Sequence, residues 1–297
     1  TNSDYTQWGV AYEDGGGDPQ PLFQALGQPI TTKPDVMRHP EKHGYLVVFG
    51  TGKYLGVTDF SDTSLNTIYG IWDYGDDTDN SEYLGFFNRG STTNKLSNQP
   101  GTVTLLAQEI VPSPDTDPNF PFFWTVTVNN EDLKLRILTN NSPDWETVDD
   151  EAGQLPNPAV HAGWYFDLPL TAERVVTDVM IRDAKAIVIS FTPEDEPCSI
   201  GGDSIVHEMD AASGGRLLAA QFDIDADAAI DSEDLIDIGE ASKVAPTGIQ
   251  KTGRLHVPAI LGMGSTEMKY FSSSEGTIKR VREKPPRLGV RHWRELE

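Results

Sequence analysis

A chain of 297 residues with 37% apolar content, twelve Phe, nine Tyr and six Trp is long enough to bury a sizeable core as one large domain or two small ones. Its 46 acidic residues outnumber 23 basic ones, and a net charge of −23 repels nucleic acid and anionic membrane while favouring cations. No apolar run approaches the ~18–20 residues of a membrane-spanning helix. The single cysteine, Cys198, excludes an internal disulfide and reads as a structural thiol.

The charge is uneven. From Thr277 onward seven basic residues face three acidic ones, so this segment carries +4 and the remainder −27. The simplest reading is a charged last strand paired with acidic neighbours of the same chain. The chain opens on Thr1 and not Met, which predicts a cleavage or gene boundary there.

In chain order, β-type runs recur at Tyr45–Phe49, Thr67–Trp72, Thr102–Ala107, Trp124–Val128, Leu133–Leu138, Arg174–Val176, Ala186–Phe191, Ile205–Met209 and Leu217–Phe222. Each is bounded by Gly, Pro, Asn or Asp, as strands joined by turns should be. The 47 Gly and Pro residues, the scarcity of helical periodicity and the absence of strand–helix alternation predict an all-β sandwich, barrel or propeller. Asp73–Glu82, Ser113–Pro121 and Asn140–Pro158 read as inter-strand loops, and no domain boundary or strict repeat divides the chain.

The segment Asp223–Asp234 carries the clearest chemistry. Asp223, Asp225 and Asp227 occupy positions 1, 3 and 5 of a calcium loop, Asp231 position 9 and Asp234 position 12. The carbonyl of Ala229 falls at position 7, where a backbone oxygen is expected. Five aspartates in twelve residues repel one another without a cation, and calcium takes six to eight such oxygens. Two positions depart from the template: Ala228 stands where Gly is usual, and Asp replaces Glu at the end. A short helix is expected over Leu235–Ile238. The acidic stretch holding Asp73, Asp76, Asp77 and Asp79 fits no such template and reads as a solvated loop.

Catalytic signatures are lacking. None of the six histidines lies in HExxH, and no GxSxG occurs. Gly50-Thr51-Gly52-Lys53 lacks phosphate-loop spacing, with Tyr54 where Ser or Thr belongs, and reads as a structural turn.

Several blocks, in order, resemble one family. They are Pro21–Phe23 with Gln28–Thr31, Pro34–Val36, His39-Pro40, Leu46–Leu55 (LVVFGTGKYL), Thr67–Asp73 (TIYGIWD), Gly163–Pro169 (GWYFDLP), Glu173–Val176 (ERVV), Pro197–Ser204 (PCSIGGDS) and the closing Trp293–Leu296 (WREL). Together these resemble the PilY/PilC-type proteins, the type IV pilus biogenesis and tip-associated adhesin family, across residues 1–297. The resemblance implies a modified β-propeller, of which this chain is the C-terminal part, and calcium held by Asp223, Asp225, Asp227, Ala229 and Asp231. It implies export to the cell surface or pilus tip, and support of pilus extension against retraction, adhesion and twitching. The partners implied are pilus-tip pilins or minor pilins and a host or surface receptor. A propeller of roughly seven four-stranded blades needs about twenty-eight strands. Far fewer are visible, so the missing blades are expected from an N-terminal remainder or a separate chain. No enzymatic activity is expected. The alternatives are a quinoprotein-like propeller enzyme, disfavoured by the single Cys, and a passive structural module of a surface filament.

Overall fold

A computed structural model of the chain describes residues 16–42, 44–73, 85–87, 103–114, 122–145, 160–194 and 201–285. The described residues hold seventeen strands and a short 3-10 turn at Val57–Asp59, with no α-helix among them. The strands are β1 (Phe23–Ala25), β2 (Asp35–Arg38), β3 (Tyr45–Gly50), β4 (Thr67–Asp73), β5 (Gly85–Phe87), β6 (Val103–Gln108), β7 (Trp124–Val128), β8 (Glu131–Arg136) and β9 (Val160–Asp167). There follow β10 (Arg174–Val175), β11 (Met180–Arg182), β12 (Lys185–Pro193), β13 (Gly202–Asp210), β14 (Gly248–Thr252), β15 (Ala259–Met263), β16 (Thr266–Ser272) and β17 (Ile278–Glu283).

Three larger sheets stack face to face. The first runs β2-β3-β4-β9-β6, the central one β10-β12-β13-β14-β8-β7 with β11 also on β12, and the third β15-β16-β17. A small parallel pair, β1-β5, adjoins them. None closes on itself, so the architecture is an open stack of blade-like sheets, the form of part of a β-propeller.

The central sheet is covered on both faces, which is why β12 reads as a continuous apolar run and not an alternating one. Val188, Ala186 and Met209 pack toward the first sheet with Val48, Ile68, Trp164, Phe166 and Val175. Ile189, Val206 and Ile249 pack oppositely with Phe222, Ile224, Leu255, Phe271 and Val281. Turns follow local chemistry. Asn129-Asn130 joins β7 to β8 and Asp183-Ala184 joins β11 to β12, each pair with both φ values positive (51° and 63°, 52° and 60°), as two-residue hairpins require.

The recognisable sequence blocks turn out to be joints between sheets. Gly50 ends β3 against Val175, whose Cβ would lie 2.3 Å from a Cβ at position 50. Arg174 is buried and its guanidinium donates to the carbonyls of Lys53, Asp59 and Asp62. Glu173 takes Arg136 through both carboxylate oxygens, at 2.8 and 3.2 Å, and accepts from Ser190 Oγ at 2.6 Å. The GTGK lysine, Lys53, is 2.9 Å from Asp59, whose carboxyl is held down at about 2 by the Leu55 backbone N–H and by Lys53 itself. This stretch is a packed turn with its lysine already neutralised.

Two differences from the sequence reading have physical reasons. Leu217–Phe222 is not a strand: Phe222 alone makes a bridge, to Glu283, because the chain must leave the sheet to begin the aspartate loop. Leu235–Ile238 is not a helix, because Ile236 exchanges two 2.8 Å backbone bonds with Val244 and is buried among the core side chains. Asp76, Asp77, Asp79 and Cys198 lie outside the described residues.

The third sheet meets the central one through ions. Lys185 (β12) contacts Glu208 (β13) at 2.6 Å and Glu283 (β17) at 3.0 Å, and Lys269 (β16) contacts both glutamates. All four are buried. Burial, and then the neighbouring Glu208, push the Glu283 carboxyl up to about 9. One proton is therefore retained by the pair at neutral pH, leaving Glu208 ionised, its carboxyl held low against its own burial by Lys269 and Lys185.

Two outcomes are expected. Gly70→Ala places a Cβ 2.2 Å from the fully buried Trp164 ring and should cost about 2–3 kcal/mol. Gly56→Ala, which meets open space, should be nearly neutral in the same urea titration. For Glu283, the unfolded carboxyl titrates near 4.5 and the folded one near 9, so its stabilising share falls as pH rises between those values. Glu283→Gln should therefore flatten the stability loss between about pH 7 and pH 9, whereas Lys269→Met should cost about 1–3 kcal/mol by removing the hydrogen bonds that Lys269 makes to both buried carboxyl groups.

Candidate metal centre

The aspartate loop hangs from the core at both ends. Phe222 and Ile224 enter on one side and Ile236 on the other, all three buried. Between them the chain coils through a series of aspartate-capped turns, each carboxylate taking a backbone N–H two to five residues ahead. Asp223 accepts from Ala226 (2.7 Å) and Ala228 (3.2 Å), Asp225 from Asp227 (3.0 Å), Asp227 from Ala229 (2.7 Å) and Asp231 from Glu233 (2.8 Å).

Oxygens of Asp223, Asp225 and Asp227 lie within 4.8 Å of one another, the one such acidic trio among the described residues. Two ligand radii of ~2.3–2.6 Å span about the same distance, so a hard cation fits among them. The donors are all oxygen, which suits calcium and not a soft metal. Ala228 adopts φ 75° and Ala226 φ 66°, the left-handed conformation that the usual glycine would supply freely. The turn survives the substitution at a cost of roughly 1–2 kcal/mol per residue.

Asp231 and Asp234 do not join that trio. Asp234 sits at the base of the loop, 1% exposed, with one oxygen accepting from Ile224 N–H (2.7 Å) and the other from Asp231 N–H (2.9 Å). Burial, and the charges of Asp225 and Asp223, raise its carboxyl above the ordinary value. Its observed role is to close the loop upon itself. Ala229 donates its N–H to Asp227 and carries the seventh-position carbonyl.

One participant escaped the sequence reading. Arg282 of β17 holds the loop from outside. Its carbonyl accepts Asp223 N–H at 3.1 Å, its Nη1 donates to Ala228 O at 3.1 Å, and its Nε stands 3.6 Å from Asp223 Oδ2. In sequence Arg282 is one of several basic residues near the end, and only the outward phase of β17, with Val281 and Glu283 buried on either side, could have singled it out.

A buried Ser190–His207 contact of 3.1 Å superficially suggests nucleophilic chemistry. Glu173, however, binds the serine and not the far nitrogen of the histidine, and all three are buried. Burial, aided by Arg136, keeps His207 neutral. The group is a structural network.

These features define an open, all-β module of propeller type with an acidic loop on one flank. Residues 7–104 match the family model described as the PilY1 beta-propeller domain. The chain is 27% identical over 290 residues to the type IV pilus biogenesis factor PilY1 of Pseudomonas aeruginosa strain PAO1, covering 94% of this chain and 22% of that protein. It is 28% identical over 229 residues to a PilY1 homolog of Xylella fastidiosa, covering 73% and 12%. The chain thus spans about a fifth or less of these relatives' lengths. The crystal structure of the Pseudomonas aeruginosa PilY1 C-terminal domain shares its fold, with a TM-score of 0.64 over 91% of this chain and 48% of that one, at 23% identity. Together these matches make the chain similar to PilY1-type proteins in sequence and to the PilY1 C-terminal domain in fold.

The loop makes a separable prediction. Asp234→Ala should cost about 2 kcal/mol with or without calcium, because it strands the buried Ile224 N–H and releases the Asp231 N–H that closes the loop. Asp227→Ala, at an exposed position, should leave metal-free stability within about 0.5 kcal/mol and remove only the calcium-dependent part of the melting temperature.

Proposed function

We propose that this chain is a calcium-responsive, propeller-type module of a type IV pilus biogenesis factor, acting at the cell surface or pilus tip and not as an enzyme. The relatives' name supports the pilus role. The observation that carries the calcium reading is the convergence of Asp223, Asp225 and Asp227. Those three side chains would hold the ion, with the Ala229 carbonyl and Asp231 as further donors and Asp234 closing the loop beneath them. Calcium would supply two positive charges at a point where carboxylates otherwise repel. The chain's own contribution is a loop anchored at Phe222, Ile224 and Ile236, so that its backbone needs little reordering on loading. The ordered loop surface is then able to engage a pilus or secretion component with an affinity that differs between loaded and empty states, favouring extension over retraction.

The expected outcome is one calcium per chain by calorimetry, preferred over magnesium, and none in the Asp223→Ala, Asp227→Ala double variant. In cells, Asp227→Ala at matched surface abundance should reduce surface pili, with recovery when the retraction motor is disabled. Equal calcium binding by wild type and double variant would remove the metal assignment. Loss of pili without recovery would reduce the loop to a structural staple.

A further inference from the structure

Arg282 stands at the loop as a cation built into the fold. It approaches Asp223, the first carboxylate of the trio, from the side of β17, 3.6 Å from Oδ2, while Oδ1 of the same residue is engaged by Ala226 N–H at 2.7 Å. It also fastens the carbonyl of Ala228, the residue that carries the left-handed turn at φ 75°. Both partners belong to the part of the loop that brings the three carboxylates together. Arg282 is itself placed by backbone pairing: its carbonyl receives Asp223 N–H, and the next residue, Glu283, bridges Phe222 and is buried among Lys185, Lys269 and Glu208. The sheet therefore fixes the backbone of Arg282, and the bond from Nη1 to Ala228 O directs its guanidinium toward the aspartate trio.

We propose that Arg282 is an internal competitor of the metal, sharing Asp223 with the ion and thereby setting the calcium concentration at which the loop fills. This rests on the calcium reading given above. In the empty loop the guanidinium offsets carboxylate repulsion, so the turn stays folded without metal. In the loaded loop it is a like charge beside a divalent ion, and weakens binding. The two effects act in opposite directions, which distinguishes a competitor from a mere scaffold: a scaffold lost would weaken binding and stability together.

The test uses the 297-residue chain, calcium chloride as the probe, calorimetry for affinity, and melting with chelator or with saturating calcium. Arg282→Gln should bind calcium on the order of tenfold more tightly, the effect of removing one positive charge at side-chain distance from a divalent ion in near-aqueous surroundings. Its melting temperature should fall in chelator and recover in calcium, so the calcium-induced shift widens. Arg282→Lys, which keeps the charge and loses the planar fork, should bind within about threefold of wild type. The gain from Arg282→Gln should shrink as salt rises to about 1 M, because screening removes a charge effect and not a packing one. Unchanged or weaker binding by Arg282→Gln, with wild type binding normally, overturns the competitor role alone. Failure of wild type to bind calcium overturns it together with the reading on which it rests.

Discussion

Two lysines and two glutamates sealed between stacked sheets fix how the last sheet of this chain sits on the central one. Apolar faces would let β15–β17 slide or rotate on β12 and β13, because hydrophobic contact has no direction. Lys185 reaching across to Glu283, and Lys269 to Glu208, remove that freedom, since a register error would leave a charge buried without a partner. Glu283 then orders what lies beside it. Its backbone bridges Phe222, and the following residue of that segment is the first aspartate of the loop. Core packing, ionic docking and the geometry of the aspartate loop are thus joined through one strand.

Much of the fold was legible because the signals were local. Trp124–Val128 was readable to the residue, and Thr67–Trp72 and Tyr45–Phe49 to within one, since apolar runs bounded by turn residues need only their own neighbours to declare themselves. The strands missed were those whose pattern is set by distant packing. Thr266–Ser272 holds a buried Glu267 and Lys269, which read as exposed until partners from β11, β13 and β17 are in place. Leu217–Phe222 failed in the opposite sense: it is apolar enough for a strand, but Leu218 is 85% exposed and the segment meets a sheet only at its end, where Phe222 bridges Glu283.

At the loop, spacing identified the trio that converges and could not rank the remaining carboxylates. Asp231 and Asp234 fit the same template, yet their carboxylates do not converge with the trio: Asp234 is buried at the base of the loop, with both oxygens taken by Ile224 and Asp231 N–H. Arg282, 59 positions from Asp223, is marked in sequence only by the outward phase of its strand, which says nothing of the loop it meets. The family blocks were recognised as words, and their meaning is mechanical. Gly50 admits Val175, Arg174 gathers three carbonyls, and Glu173 anchors Arg136.

The pairing of β8 with β14 carries a consequence for how the molecule is made. Arg136 and Gly248 are register partners 112 positions apart, whereas β7 and β8 are joined by two residues. During synthesis the β7–β8 hairpin emerges early and then waits, with one edge unpaired, until β14 has left the ribosome. At the usual pace of ~5–20 residues per second that interval is on the order of ten seconds. A hairpin alone in water is marginal, and an exposed edge recruits other strands. Nascent-chain crowding and holding chaperones therefore bear on this protein at a definite moment, between the appearance of residue 136 and that of residue 252, and not evenly along its length.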